Sequence, residues 1–353
     1  MEPRRPPDGS RRRLLAAGVG LAAFSLWPSF ARADQNWQTY KRRFIVDDRR
    51  VIDSGNNNVS HSESQGWGLL FAQSYDDKET FGKIWDWTSK SLQRGDGLFS
   101  WRWSPNTTDP VPDKNNAADG DILIAWALIR AAAKWNEPRW LAPAKRIQSA
   151  VLDRLAIESQ GKLILLPGAQ GFARGNRHVV NLSYYVWPAL HDFAAQPGDQ
   201  GRWRRLEADG LWLLDNAAFG DYRLPPDWLL FGNQAFRVAD DWKPYFGFDA
   251  IRIPLYLAWH NQASRLGRFL TAWRTPRFAG RPPAWIDLDT GGVAPYPASG
   301  GYVAVSSVTQ YVADGNKGDA PVATIADDDD YYSASLKLLA NLAGQEAPRA
   351  KRM

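Results

Sequence analysis

The chain of 353 residues carries 43 Lys and Arg against 38 Asp and Glu, has no cysteine and four histidines, and is rich in tryptophan, with 18. The lack of cysteine excludes disulfides, a thiol nucleophile and thiolate metal sites, and a chain this long can bury a large core without such staples. The formal charge of +5 does not mark a nucleic-acid binder: residues 1–33 hold six Arg against Glu2 and Asp8, so the remainder is nearly neutral.

The first element is an export signal. Ser10-Arg11-Arg12-Arg13 leads into the apolar run Leu14–Leu26 and then Ala31-Arg32-Ala33, the order of a charged region, an apolar region and an A-x-A cleavage site. Cleavage is expected after Ala33, with the product periplasmic or secreted. The arginine cluster resembles a twin-arginine signal, and the general secretory route also fits. The apolar stretch is shorter than the roughly 20 residues a span requires, so no stable membrane anchor is expected after cleavage.

No Pro-, Gly- or Ser-rich linker divides the rest, which reads as one domain over 34–342, followed by a polar, basic tail over 343–353. Helices are predicted over Ser62–Tyr75, Lys78–Gln93, Asp119–Trp135, Pro138–Leu155, Leu182–Phe193, Gly201–Ala218, Ala250–His260, Gln262–Thr271 and Tyr331–Leu342. They come in pairs whose first member is nearly apolar all round and whose second is charged on one face. A helix apolar all round is buried and an amphipathic one covers it, so the pattern predicts an all-α, double-layered ring. The glycines and prolines of Leu163–Arg177 and Ala279–Pro297 predict irregular loops with short strands, built at one end of the ring as a cleft.

Three of the apolar helices open on acids: Glu63, Asp119 with Asp121, and Asp249. Each could simply complement a helix dipole or cap a helix. Gathered at one end of a helical ring, they are the equipment for cleaving a glycosidic bond. Asp119 and Asp121 point about 200° apart on a helix, so Asp119 is the site residue and Asp121 holds neighbouring groups. Trp101 and Trp103 lie in a loop-like stretch and suit sugar stacking, although most tryptophans belong to the core. Arg252 is placed either to pair with Asp249 or to contact sugar hydroxyls. Tyr184 and Tyr185, and Tyr331 and Tyr332, are either site or core residues. The histidines His61, His178, His191 and His260 show no ligand spacing, so no metal is expected, and no phosphate-binding loop or nucleophile elbow appears. The run Asp327–Asp330 reads as a solvated acidic turn. No cofactor is expected.

The segment Ala117–Trp135 is similar throughout to the signature of glycoside hydrolase family 8, departing at Ala118, where the family usually has Ser or Thr. Ser62–Gly68, Phe248–Pro254 and Asp330–Leu336 resemble that family's other motifs, in its order. The resemblance implies an (α/α)6 barrel and inverting hydrolysis of β-1,4-glycans, with Glu63 as general acid and Asp249 as general base. The signature marks Asp119 as catalytic; because an inverting enzyme forms no covalent intermediate, its expected role is to grip sugar hydroxyls and raise the pKa of Glu63. Within the family the chain looks most like the exported endoglucanases that accompany bacterial cellulose synthases. That implies β-1,4-glucan chains as substrate and the synthase complex as a candidate partner. Xylan, chitosan or mixed-linkage glucan is the alternative substrate, and a weakly active glycan-binding accessory the alternative role.

Overall fold

The computed structural model describes residues 27–46, 49–233, 235–278 and 281–347, with side chains from residue 34 onward. Its α-helices in chain order are α1 (Trp27–Phe44), α2 (Ser62–Ser74), α3 (Lys78–Ser91), α4 (Ala118–Trp135), α5 (Leu141–Arg154), α6 (Trp187–Ala195), α7 (Gln200–Asn216), α8 (Arg252–Trp259), α9 (Gly267–Trp273), α10 (Gly300–Ala313) and α11 (Tyr331–Glu346).

Their polarity sorts them into layers. α2, α4, α6, α8 and α11 are buried along most of their length, whereas α3, α5 and α7 bury one face and keep the other in water. α2 packs on α4, α4 on α6, α6 on α8, α8 on both α10 and α11, and α11 back on α2, so the inner layer closes on itself. Outside it, α3, α5 and α7 cover α2, α4 and α6. The double ring expected from the alternation of apolar and amphipathic segments is present. Trp37, Trp67, Trp126, Trp187 and Trp203 are among the largest fully buried side chains, so much of the tryptophan content is core.

The α2–α4 contact depends on small residues. A Cβ on Gly66 would lie 2.6 Å from Leu123 Cβ, and one on Gly120 would lie 2.7 Å from the Glu63 backbone nitrogen and overlap the Ser62 hydroxyl. These two glycines let the start of α2 rest directly on the start of α4.

Short antiparallel strands complete the loops. β1 (Ser60–His61) pairs with β2 (Arg102–Trp103), and β3 (Ala156–Ser159) with β4 (Lys162–Leu165). β5 (Ala173–Arg174), β6 (Arg177–Val180), β7 (Leu229–Gly232) and β8 (Ala235–Val238) form a four-stranded sheet in that order, and β9 (Tyr245–Phe246) pairs with β10 (Ile286–Asp287).

Several expectations are corrected. The tail does not begin at 343: α11 continues to Glu346, which accepts hydrogen bonds from Arg130 Nη1 and Nη2 and from Trp259 Nε1. Residues 348–353 lie outside the described residues. The acidic turn is not simply solvated: Asp329 is buried and paired with Lys337 at 2.5 Å, and Asp330 caps α11 by accepting from Ser333 N. α1 and α10 are helices beyond those the sequence pattern predicts. Of the expected export signal, residues 1–26 lie outside the described residues, and α1 runs across Ala31–Ala33. Among the described residues no helix is long and apolar enough to cross a membrane.

Candidate active site

The acids are delivered by the starts of inner helices. α2 begins at Ser62 because Ser64 Oγ both accepts from His61 N at 3.0 Å and donates to His61 O at 2.7 Å. Gln65 then clamps the backbone of Val51 with a two-way amide contact, donating at 2.9 Å and accepting at 3.0 Å. Glu63 is thereby fixed in the first turn. Asp119 sits in the first turn of α4, its Oδ1 accepting from Gly120 N at 2.8 Å. Asp249 lies in the turn three residues ahead of α8, whose first residue is Arg252.

Arg252 joins all three. Its Nη1 donates to Glu63 Oε1 at 2.5 Å, and its Nη2 donates to Asp249 Oδ1 at 2.8 Å and to Ser183 Oγ at 2.9 Å, with Asp119 Oδ2 3.5 Å away. The pairing with Asp249 foreseen from sequence is thus one arm of a wider bridge. The side chains of Arg252 and Asp119 are about 5 % and 4 % exposed, against 17 % for Glu63 and 26 % for Asp249. The latter two are the carboxylates that solvent or substrate can reach.

Burial is the largest influence on Glu63 and pushes its pKa well above the usual carboxylate range. Arg252 opposes that rise, while Asp119 and Asp249 add to it by their charge, Asp119 also through a hydrogen bond with Glu63. Desolvation is the greater cause and the charge of Asp119 a lesser one. Asp119 is raised by burial too, restrained by Arg252 and by the hydrogen bonds from Glu63 and Gly120 N. The arrangement favours the protonated form of Glu63, with burial as the main cause.

Asp121 faces away, as its spacing requires. It accepts from Phe99 N at 2.8 Å and from Asn116 Nδ2 at 2.7 Å, tying the 99–116 loop to α4, and burial pushes it up to about 8.

Sequence reasoning missed Asp227. Its Oδ1 accepts from the backbone N–H groups of Gly247, Asp249 and Ala250, at 3.0, 3.1 and 2.7 Å, and so shapes the turn that presents Asp249. Burial first and Asp249 second push Asp227 up to about 7, against the three donors that favour its charged form. The only local signal was an Asp after two prolines, Pro225-Pro226-Asp227, which reads as an ordinary turn.

The aromatic candidates divide. Tyr184 belongs to the site: its ring lies 5.8 Å from the Arg252 guanidinium and meets Trp228 edge-on. Tyr332 also belongs, packing on Trp67, donating its hydroxyl to Phe248 O and sensing Arg252, Glu63 and Asp249. Trp101 adjoins the start of α2, since its carbonyl accepts from Ser62 N at 3.0 Å and its ring is parallel to His61. Two tyrosines are corrected. Tyr185 is fully buried, its hydroxyl accepting from Leu165 N at 2.7 Å. Tyr331 is buried between Phe44 and Trp67. Trp103 is partly exposed, meeting Trp87 edge-on with the Arg50 guanidinium 4.5 Å from its ring. Alternation along an apolar helix start cannot distinguish which of two neighbouring tyrosines turns inward.

Further aromatic surface flanks Asp249. Phe248 and Tyr296 are about half exposed, Trp285 stacks on Tyr245 with ring centroids 4.3 Å apart, and its Nε1 donates to the Tyr296 hydroxyl at 3.2 Å. Beyond Tyr184, Trp228 stacks on Trp242 at 4.6 Å and on Phe172 at 5.9 Å. Flat rings therefore lie next to Asp249 in the chain and next to Tyr184 at the site.

A double ring of helices that gathers three carboxylates at one end, close to exposed aromatic rings, fits the class of glycoside hydrolases. The sequence profile of the glycosyl hydrolases family 8 matches residues 11–346, and the chain belongs to that family. It is 40 % identical over 345 residues to a probable endoglucanase of Novacetimonas hansenii, covering 94 % of this chain and 98 % of that one. Among solved structures it is similar to endoglucanase Cel10 of Klebsiella pneumoniae, with 41 % identity, a TM-score of 0.83, and coverage of 89 % of this chain and 99 % of the other. It is likewise similar to the endo-β-1,4-glucanase CMCax of Acetobacter xylinum, with 39 % identity, a TM-score of 0.82, and coverage of 90 % and 99 %. The fold is the (α/α)6 barrel of that family.

Proposed function

We propose that this protein is an endo-β-1,4-glucanase that cuts internal bonds of cellulose chains with inversion at the anomeric carbon. The observation that carries the mechanism is the Arg252 bridge, which holds Glu63, Asp119 and Asp249 around one point at the starts of α2 and α4 and before α8. Glu63, raised by burial, keeps the proton that it delivers to the leaving glycosidic oxygen. Asp249, the most exposed of the three and aimed by the turn on Asp227, takes a proton from the water that attacks the opposite face of the sugar. Asp119 accepts from Glu63 and grips the sugar at the cleaved bond. Substrate displaces part of the Arg252 bridge, and Arg252 then compensates charge on the groups it keeps. Tyr184, Tyr332 and Trp101, with Phe248, Trp285 and Tyr296, offer rings and hydroxyls to successive sugars.

The β-1,4-glucan assignment is supported by the relatives, whose names describe endoglucanases. Export through the signal at residues 1–33, residence in the periplasm or outside the cell, and service beside a cellulose synthase complete the reading. Export rests on the order of charged, apolar and Ala-x-Ala segments, and service beside a synthase on the likeness to endoglucanases of the Acetobacter type. Reducing-end release and viscosity, measured on soluble β-1,4-glucan, mixed-linkage glucan, xylan and chitosan, test the substrate. The reading expects fastest release on soluble β-1,4-glucan, with an early fall in viscosity. Faster cleavage of xylan or chitosan would refute the glucan assignment.

A further inference from the structure

The four histidines are scattered along the chain, yet folding brings two of them onto one carboxylate. His191 on α6, Glu207 on α7 and His260 at the C-terminal end of α8 present ligand atoms that all lie within 4.8 Å of one another. His260 Nε2 is 2.8 Å from Glu207 Oε1, His191 Nδ1 is 3.6 Å from the same oxygen, and the two imidazole rings are 5.1 Å apart. Bonds of about 2.0–2.1 Å at tetrahedral angles place the ligand atoms of zinc about 3.3 Å apart, a value that the two measured separations bracket. Small rotations of His191 would reach it, because that side chain is 63 % exposed and unconfined.

The surroundings suit an ion. Glu207 and His260 are held in place, their side chains only 15 % and 12 % exposed, while His191 closes the third side from solvent. The cluster opens into a groove of about 550 Å³ walled by Ala194, Ala195, Ala208 and Leu211, whose short or apolar side chains leave room for a water ligand. Arg204 also lines the groove but is exposed and free to swing outward. Two imidazoles and a carboxylate favour late first-row divalent ions such as zinc over calcium or magnesium. With no cysteine in the chain, no thiolate competes for the ion.

We propose that His191, Glu207 and His260 form a surface site for one divalent transition-metal ion of the zinc type, with water completing the coordination. The ion clamps α6, α7 and α8 together. Arg252 begins α8 and His260 caps its C-terminus just after Trp259, about 12 Å further along the helix axis at 1.5 Å per residue. The site is therefore at the far end of α8 from the carboxylates, and its role is to stabilise the fold.

The test uses the full-length chain without a histidine tag, stripped with chelator and dialysed against zinc chloride. Bound zinc is counted by elemental analysis, affinity is taken from titration, and melting temperature is recorded with and without the ion. One zinc per chain is expected, with a higher melting temperature and unchanged glycan hydrolysis. His191→Ala, on an exposed side chain, should fold and melt like the stripped parent. It should lose affinity by at least the roughly 10–100-fold that removal of an outer-shell partner costs, and lose the thermal shift. Glu207→Gln, which keeps a polar partner for His260, should lose binding likewise. Substitution with cobalt should give the visible spectrum of a four-coordinate ion. Substoichiometric zinc in the parent, or zinc bound as tightly by His191→Ala, would overturn the assignment whatever the enzyme's substrate proves to be.

Discussion

Gly120→Ala probes the join that brings acid and acceptor together. The position is helical, so the added methyl improves local propensity by about 1 kcal/mol. That Cβ would nevertheless lie 2.7 Å from the Glu63 backbone nitrogen and 2.7 Å from Ser62 Cβ, where ordinary contact begins at 3.4 Å, and would overlap the Ser62 hydroxyl. The Ser62 side chain can turn, but a backbone nitrogen can move only with its helix, so the start of α2 must retreat from α4 by roughly 0.7 Å. Overpacking of this kind costs about 1–3 kcal/mol, which outweighs the propensity gain. A displacement approaching 1 Å at a catalytic group can cost up to about 100-fold in rate. The expected result is a modestly lower melting temperature and a fall in kcat of about 10- to 100-fold, from steady-state release of reducing ends. The alkaline limb of the rate profile should also move down, as Asp119 withdraws from Glu63. Gly120→Ser should be no better. A Gly120→Ala enzyme with kcat within two-fold of the parent and an unchanged pH profile would show that the α2–α4 approach does not set the geometry of Glu63.

Three further outcomes are expected. Asp119→Asn removes the charge through which Asp119 raises the pKa of Glu63 and leaves only a weaker, neutral acceptor; the alkaline limb of kcat/KM should shift to lower pH, and an unshifted limb would separate Asp119 from the tuning of Glu63. Asp227→Ala removes the acceptor of three backbone N–H groups under Asp249; kcat should fall by about 10-fold or more with little change in KM, and Asp227→Asn, which keeps an oxygen there, should recover most of it, whereas equal loss in both variants would contradict a positioning role. Asp121 is raised from 3.8 to about 8 by burial; its contribution to stability is full below about pH 4 and is lost as pH rises through about 8, so Asp121→Asn should gain melting temperature relative to the parent between pH 6 and 9, and a constant difference across that range would refute the shift.

What could be read from the sequence was set by contrast in polarity. Asp119–Trp135 and Ala250–His260 are apolar enough to demand burial and were placed within two residues at each end of α4 and α8. α10 has the same fate but carries two glycines at its start and many β-branched residues, a composition that favours strands; packing against α8 and α11 makes it helical. α1 was legible in principle, since Trp37, Tyr40 and Phe44 mark one face and all are buried. Glu63, Asp119 and Asp249 could be found because each opens an apolar segment. Asp227 could not, because its role depends on a turn 20 residues away that only folding brings beneath it. The histidine–glutamate cluster escaped for the same reason: its residues come from three helices and have no spacing to read.

The stereochemistry of the first product tests the central claim most directly. Proton NMR of a β-1,4-linked oligosaccharide, recorded within the first minutes of hydrolysis and before mutarotation, should show the α-anomer at the newly formed reducing end, because water delivered by Asp249 attacks opposite the bond that Glu63 protonates. An initial β-anomer would mean that a carboxylate, and not water, attacks first, and would contradict the roles assigned to Glu63 and Asp249.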